Sequence, residues 1–124
     1  MNGYLRTVED DIRANPNHPG FRRSVDTTRE LLAQLKDAAG AGRLFAFPAD
    51  GTGREAVFLE AMRSITGDLA IPFDDSLSKE IEALGSPGDP VFLPTDPHWS
   101  PRGHREVARL LADWLVRQLP NRVY

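Results

Sequence analysis

Apolar positions in this chain fall into two kinds of block, stripes at helical spacing and short unbroken runs. Val25, Thr28, Leu32, Leu35 and Ala39 share one side of a 3.6-residue repeat, with Leu31 beside them. They predict a helix over 25–39, with Ser24 as its N-cap and Gly40 as its terminator. Tyr4, Leu5, Val8 and Ile12 predict a shorter helix over 4–14, stopped by the breaker-dense stretch 15–20, in which His18 reads as a surface turn residue. Thr52-Gly53-Arg54-Glu55 has the form of a capping box. It predicts a helix reaching about Ser64, with Val57, Phe58, Ala61, Met62 and Ile65 as its apolar side and Gly67 as its stop. A short helix over 76–84 and a long one over 101–118 complete the stripes.

The unbroken runs are Leu44-Phe45-Ala46-Phe47, Leu69-Ala70-Ile71-Pro72-Phe73 and Val91-Phe92-Leu93. Runs of this length read as buried strands with both faces covered, although Pro72 weakens the second one as a central strand. Strands alternating with helices imply parallel pairing through crossover helices. The expected fold is therefore α/β, a small three-layer α/β/α sandwich on a short parallel sheet, with residues 1–124 forming a single domain. Three strands leave an edge that the first helix, a partner chain or further sequence has to cover.

Composition narrows the function classes. The chain has 124 residues, is 40% hydrophobic and carries a formal charge of −3. That charge, with no basic stripe, argues against nucleic acid as a partner. Arg102, Arg105 and Arg109 sit beside Glu106 and Asp113 and read as a solvated helix face. The absence of cysteine removes disulfides, thiolate metal sites and a cysteine nucleophile together. No apolar stretch is long enough to span a membrane, and the N-terminus lacks the basic and apolar regions of a signal peptide. The compartment stays open: with no signal peptide in this chain a cytoplasmic location is only the default expectation, and the lack of cysteine says little, since many exported bacterial enzymes also lack it.

The candidate chemistry lies in Thr95-Asp96-Pro97-His98-Trp99-Ser100-Pro101-Arg102-Gly103-His104. Pro97 fixes its own φ and pushes Asp96 into an extended conformation. In an extended segment residues two apart point the same way, so Asp96 and His98 can present their side chains together. A carboxylate held against one imidazole nitrogen fixes the tautomer of the ring, which is what a general base needs. Ser100 and Pro101 suit the N-cap and first position of the following helix. The positive end of that helix disfavours imidazolium while Asp96 favours it. Two other readings share these residues. Asp-Pro before a helix can be an ordinary turn whose carboxylate caps a backbone amide. A metal could be held by His98 with His104 or Asp96, but no third ligand accompanies them.

Residues 92–115 resemble the last motif block of SGNH (GDSL-like) hydrolases. Asp96, His98, Trp99, Gly103, His104, Val107, Ala108, Leu111 and Leu115 stand at matching places, and Ser100 replaces a frequent asparagine. The resemblance extends more loosely over 25–118. It implies a flavodoxin-like fold and a Ser-His-Asp triad in which Asp96 orients His98. His98 then deprotonates a serine and reprotonates the leaving alcohol. It implies no cofactor and no metal, and an acylated carbohydrate or lipid as substrate. The family's Gly-Asp-Ser nucleophile is absent, and its oxyanion-hole residues are not recognisable. Ser24, Ser76 and Ser100 read as helix-start residues, Ser64 and Ser78 as helical, and Ser86 as a loop residue outside any strand-turn-helix elbow. SGNH-like polysaccharide O-acetyltransferases carry their serine after the motif, where this chain has only Ser100.

Two functions follow as expectations. The first is an ester hydrolase, or the C-terminal portion of one, whose serine comes from an upstream half-domain or a second chain. The second is a non-catalytic binding or partner domain. A triad without its serine retains at most roughly 10³–10⁴-fold catalysis over water, and only with an intact oxyanion hole. The isolated chain should therefore stay unlabelled by a fluorophosphonate probe, and labelling at any of its six serines would refute the absence of a nucleophile.

Overall fold

A computed structural model describes residues 8, 10–49 and 56–119. The protein is mostly helical. Residues 10–14, the described end of the helix expected over 4–14, are helical. The elements after them are α1 (Pro19–Ala39), α2 (Ala56–Asp68), α3 (Leu77–Leu84), β1 (Phe92–Leu93), β2 (Asp96–Trp99) and α4 (Pro101–Gln118). The chain divides into two compact units, residues 1–45 with 56–73 and residues 46–55 with 74–124.

The expected parallel α/β/α sandwich is not what forms. The named strands among the described residues are β1 and β2, and they pair antiparallel as a hairpin. Residues 44–47 make no strand beyond a bridge at Ala46. Residues 69–73 begin as a turn, with Ala70 in the left-handed region at φ 52°. A short apolar run has no intrinsic strand identity, because β structure depends on the partner it packs and pairs with. Val91-Phe92-Leu93 finds that partner in the residues just after it rather than across a helix.

In the first unit, α1 begins six residues earlier than the apolar stripe suggests. His18, expected at the surface, is half-buried and caps the helix, its Nδ1 accepting from Gly20 N at 3.1 Å, with Pro19 in the first turn. Pro19 has no amide hydrogen to leave unsatisfied there. Ser24 is consequently inside the helix rather than at its cap, and its hydroxyl donates to the Gly20 carbonyl at 3.0 Å. Gly40 closes the helix with φ 92° and its N–H on Lys36 O at 3.0 Å. Phe21 packs edge-on against Phe58 of α2, with ring centroids 5.4 Å apart. Arg29 pairs with Asp68, and Lys36 donates to the Leu69 carbonyl. Ile65, Thr66 and Ile71 are buried beside them, and Thr66 satisfies its hydroxyl on Met62 O at 2.6 Å. Leu31 and Leu35 remain exposed, Leu35 against the expectation from its stripe. The proposed capping box at 52–55 lies outside the described residues. Gly67 falls within α2, which ends at Asp68.

The second unit holds the motif. Leu77, Ile81, Val91 and Val107 are its buried centre, surrounded by Phe47, Leu84, Phe92, Trp99, Leu110 and Leu111. Leu77, Ile81 and Leu84 recur at helical spacing on α3, and Val107, Leu110, Leu111 and Trp114 on α4, so each helix turns one apolar stripe inward. Burial of each large aliphatic side chain contributes about 1.5–3 kcal/mol.

Ser100 joins the hairpin to α4. Its hydroxyl donates to the Pro90 carbonyl at 2.6 Å and accepts from Gly103 N at 3.0 Å, while its own N–H donates to Val91 O at 2.8 Å. The first turn of α4 lies so close to β1 that a Cβ on Gly103 would stand 2.0 Å from the Val91 carbonyl oxygen. Gly103→Ala should therefore lower stability by about 3 kcal/mol or more, as severe overpacking does. Ser100→Ala should cost about 1–3 kcal/mol by orphaning a buried amide and a carbonyl. Urea unfolding monitored at the tryptophans measures both.

Candidate functional site

The residues that carry the motif are set out by the hairpin. Leu93 pairs with Asp96 across the two-residue turn Pro94-Thr95, and Phe92 then pairs with Trp99. An unbroken ladder would place Phe92 opposite Pro97. The register instead skips Pro97 and His98, which are left without partners on β1. Proline has no N–H to give a ladder, so the strand bulges where it stands. Bulges re-aim side chains, and this one turns His98 outward.

Asp96 and His98 meet. Asp96 Oδ1 accepts the His98 backbone N–H at 3.0 Å and also contacts the ring nitrogen Nδ1. The turn expected of Asp-Pro and the orientation expected of a base are thus made by the same oxygen. The His98 side chain is 80% exposed and that of Asp96 45%. With Nδ1 committed to the carboxylate, Nε2 is the nitrogen left for a substrate proton. The backbone N–H of His98, and after it the ring, hold the Asp96 carboxyl below its ordinary range. These donors favour the ionised form directly.

The neighbours are fixed by α4. Trp99 is half-buried against the core and meets the His104 ring edge-on, with centroids 5.4 Å apart. Among the described residues no group of three His, Cys, Asp or Glu side chains is placed to hold a metal. Arg102 reaches back to the preceding turn, donating to the Asp89 carbonyl at 2.7 Å and lying 3.5 Å from its carboxylate. Sequence reasoning missed this clamp, and nothing in the spacing of Asp89 and Arg102 signals it. The close approach at Gly103 did leave a signal, because a glycine inside a helix costs roughly 0.5–1 kcal/mol against alanine and asks for a packing reason.

The serines do not complete a triad here. The Ser100 hydroxyl is buried and spent on the Pro90 carbonyl and the Gly103 amide. Ser76 donates to Asp74 Oδ1 at 2.7 Å, and that carboxylate, not the Ser76 hydroxyl, caps the entry to α3 by accepting Ser76 N at 3.0 Å. Ser86 lies in a tight turn bridged to Asp89. Among the described residues no serine hydroxyl hydrogen-bonds the His98 ring. Clefts lie elsewhere among the described residues. One of about 420 Å³ lies between α1 and α2, floored by Phe21, Val25, Val57 and Ala61. Another, of about 310 Å³, is lined by Pro87, Pro90, Val91 and Phe92. Neither includes Asp96 or His98.

No family model, curated protein or solved structure matches this chain. Among the described residues no helix is long and apolar enough to cross a membrane.

The lowered Asp96 pKa carries a sign. The folded state favours the carboxylate, so the stability it contributes is complete above the ordinary value of 3.8 and is lost as pH falls through the lower folded value. Carboxyl ¹³C titration should place the Asp96 midpoint below 3.8. His98→Ala should return only part of the displacement, since the backbone N–H that contributes most remains. A midpoint unmoved by His98→Ala would show that the ring contact does not exist in solution.

Proposed function

We propose that Asp96 and His98 are the acid and base of a serine ester hydrolase site whose nucleophile lies outside these 124 residues. The observation that carries this reading is the Asp96 carboxylate held on His98 Nδ1 while the ring stays open to solvent. That arrangement supplies an oriented imidazole with one nitrogen free to take a proton from a hydroxyl and return it to a leaving alcohol. The resemblance of residues 92–115 to the SGNH motif points to O-acyl groups on a carbohydrate or lipid as the substrate class. The reading rests on this corner alone, because the parallel sheet of that family is not found among the described residues.

A second reading has its own support. The pair is open to solvent and lines neither cleft, as suits a domain that binds a partner without doing chemistry.

Co-expression with the reading frames that flank this one, followed by fluorophosphonate labelling, separates the two. The hydrolase reading expects a labelled serine on a bound partner segment, with labelling slowed roughly 10³-fold or more by His98→Ala. A bound partner that labels at the same rate with His98→Ala, or that does not label at all, leaves the partner-domain reading standing and removes the first.

A further inference from the structure

The chain has two Asp–Pro peptide bonds, Asp89–Pro90 and Asp96–Pro97. In such a bond the side-chain carboxylate can close a five-membered ring on its own carbonyl carbon. The tertiary proline nitrogen is more basic than an ordinary amide nitrogen and leaves as an amine once it is protonated. What decides the rate is whether the carboxylate has an ionised oxygen to attack with and whether a proton donor close by can reach the departing nitrogen.

The structure gives the two bonds opposite surroundings. At Asp89 the backbone is bonded on both sides to Ser86, N to O at 3.0 Å and O to N at 3.3 Å. Its carbonyl and carboxylate both face Arg102. A guanidinium polarises the carbonyl but has no proton to release. At Asp96 the carboxylate faces the His98 imidazole instead, a group that both gives and takes protons near neutrality. Both recorded hydrogen bonds of Asp96 fall on Oδ1, which leaves Oδ2 for attack. The register skip withholds Pro97 and His98 from the β1 ladder, and both Asp96 and His98 are open to water.

We propose that Asp96–Pro97 is a self-scission site, with the Asp96 carboxylate as nucleophile and His98 as general acid. Oδ2 bonds to the Asp96 carbonyl carbon. The imidazolium delivers its proton to the Pro97 nitrogen, and the C–N bond breaks. Residue 96 becomes a cyclic anhydride, and Pro97 becomes the amino terminus of the second piece. One water then opens the anhydride, giving back the side-chain carboxylate and leaving a new α-carboxylate; the protons released by that hydrolysis restore the imidazolium. The net change is hydrolysis of one peptide bond. It needs no serine, so it stands or falls separately from the ester-hydrolase reading. Its consequence for that reading is direct, because scission severs Asp96 from His98.

Intact-mass spectrometry of the full chain, incubated at about pH 5, above the ordinary carboxylate range and below the ordinary imidazole value, tests the proposal. Pieces 1–96 and 97–124 should accumulate about a hundredfold faster than pieces cut at Asp89–Pro90, the low end of what a positioned general acid supplies. His98→Ala should remove that advantage, and Asp96→Asn should stop cutting at 96 while leaving position 89 unchanged. Both side chains are exposed, so these variants should keep the wild-type near-ultraviolet circular dichroism. In urea the two bonds should approach equal rates. No cutting at 96, equal cutting at both bonds in the folded chain, an advantage that survives His98→Ala, or an advantage undiminished in urea would each overturn the proposal.

Discussion

The hydroxyl of Ser100 is the joint on which the second unit depends. It donates a hydrogen bond to the Pro90 carbonyl, just before β1, and accepts one from the Gly103 amide, inside the first turn of α4. A single side chain therefore ties the start of the hairpin to the start of the helix. The Ser100 N–H on Val91 O adds a second strand-side bond. With both ends held, residues 92–99 must fold back on themselves within the span between Val91 and Ser100, and a hairpin with a tight turn at Pro94-Thr95 satisfies that requirement. Gly103 is part of the same constraint. The helix can approach the Val91 carbonyl only because no side chain intervenes.

The hairpin in turn decides where Asp96 and His98 stand. Closing Leu93 on Asp96 and Phe92 on Trp99 leaves two residues of β2 over, and these are Pro97 and His98. Trp99 returns to the ladder and packs, half-buried, against the cluster of Leu77, Ile81, Val91 and Val107. His98 is pushed out by the residue before it and anchored by the residue after it. The Asp96 carboxylate holds both the backbone N–H of His98 and its ring Nδ1. The exposed imidazole is thus oriented by local backbone geometry rather than by a surrounding pocket.

Much of this corner was legible from the residues. Ser100 as a cap, Pro101 at the helix start and the extended Asp96 all follow from local rules, since each concerns one residue and its near neighbours. The helix over 101–118 is found as expected. The fold class was not legible, for a physical reason visible in the three apolar runs. Leu44–Phe47, Leu69–Phe73 and Val91–Leu93 are alike in length and hydrophobicity, yet only the last pairs as a strand, and it pairs with the extended segment that follows it rather than with another apolar run. Strand identity lies in the partner, and the partner is not written in the run. His18 shows a smaller version of the same limit. An imidazole is a rarer N-cap than serine, so Ser24 is the cap that local rules favour, whereas the proline at 19 marks the true first turn.

One oxygen on Asp96 serves the turn and the imidazole together, and this bears on how the two roles are to be separated. A carboxylate that only closed an Asx turn would be served equally well by asparagine, whose side-chain oxygen accepts a backbone N–H in the same way. Asparagine also accepts from a ring N–H, but it carries no charge to stabilise the imidazolium. The difference between Asp and Asn at 96 is therefore electrostatic and is felt at His98, while the geometry of the hairpin is common to both. An aspartate at this position is explained by the imidazole more fully than by the turn, and that asymmetry is the physical ground for reading the corner as chemistry.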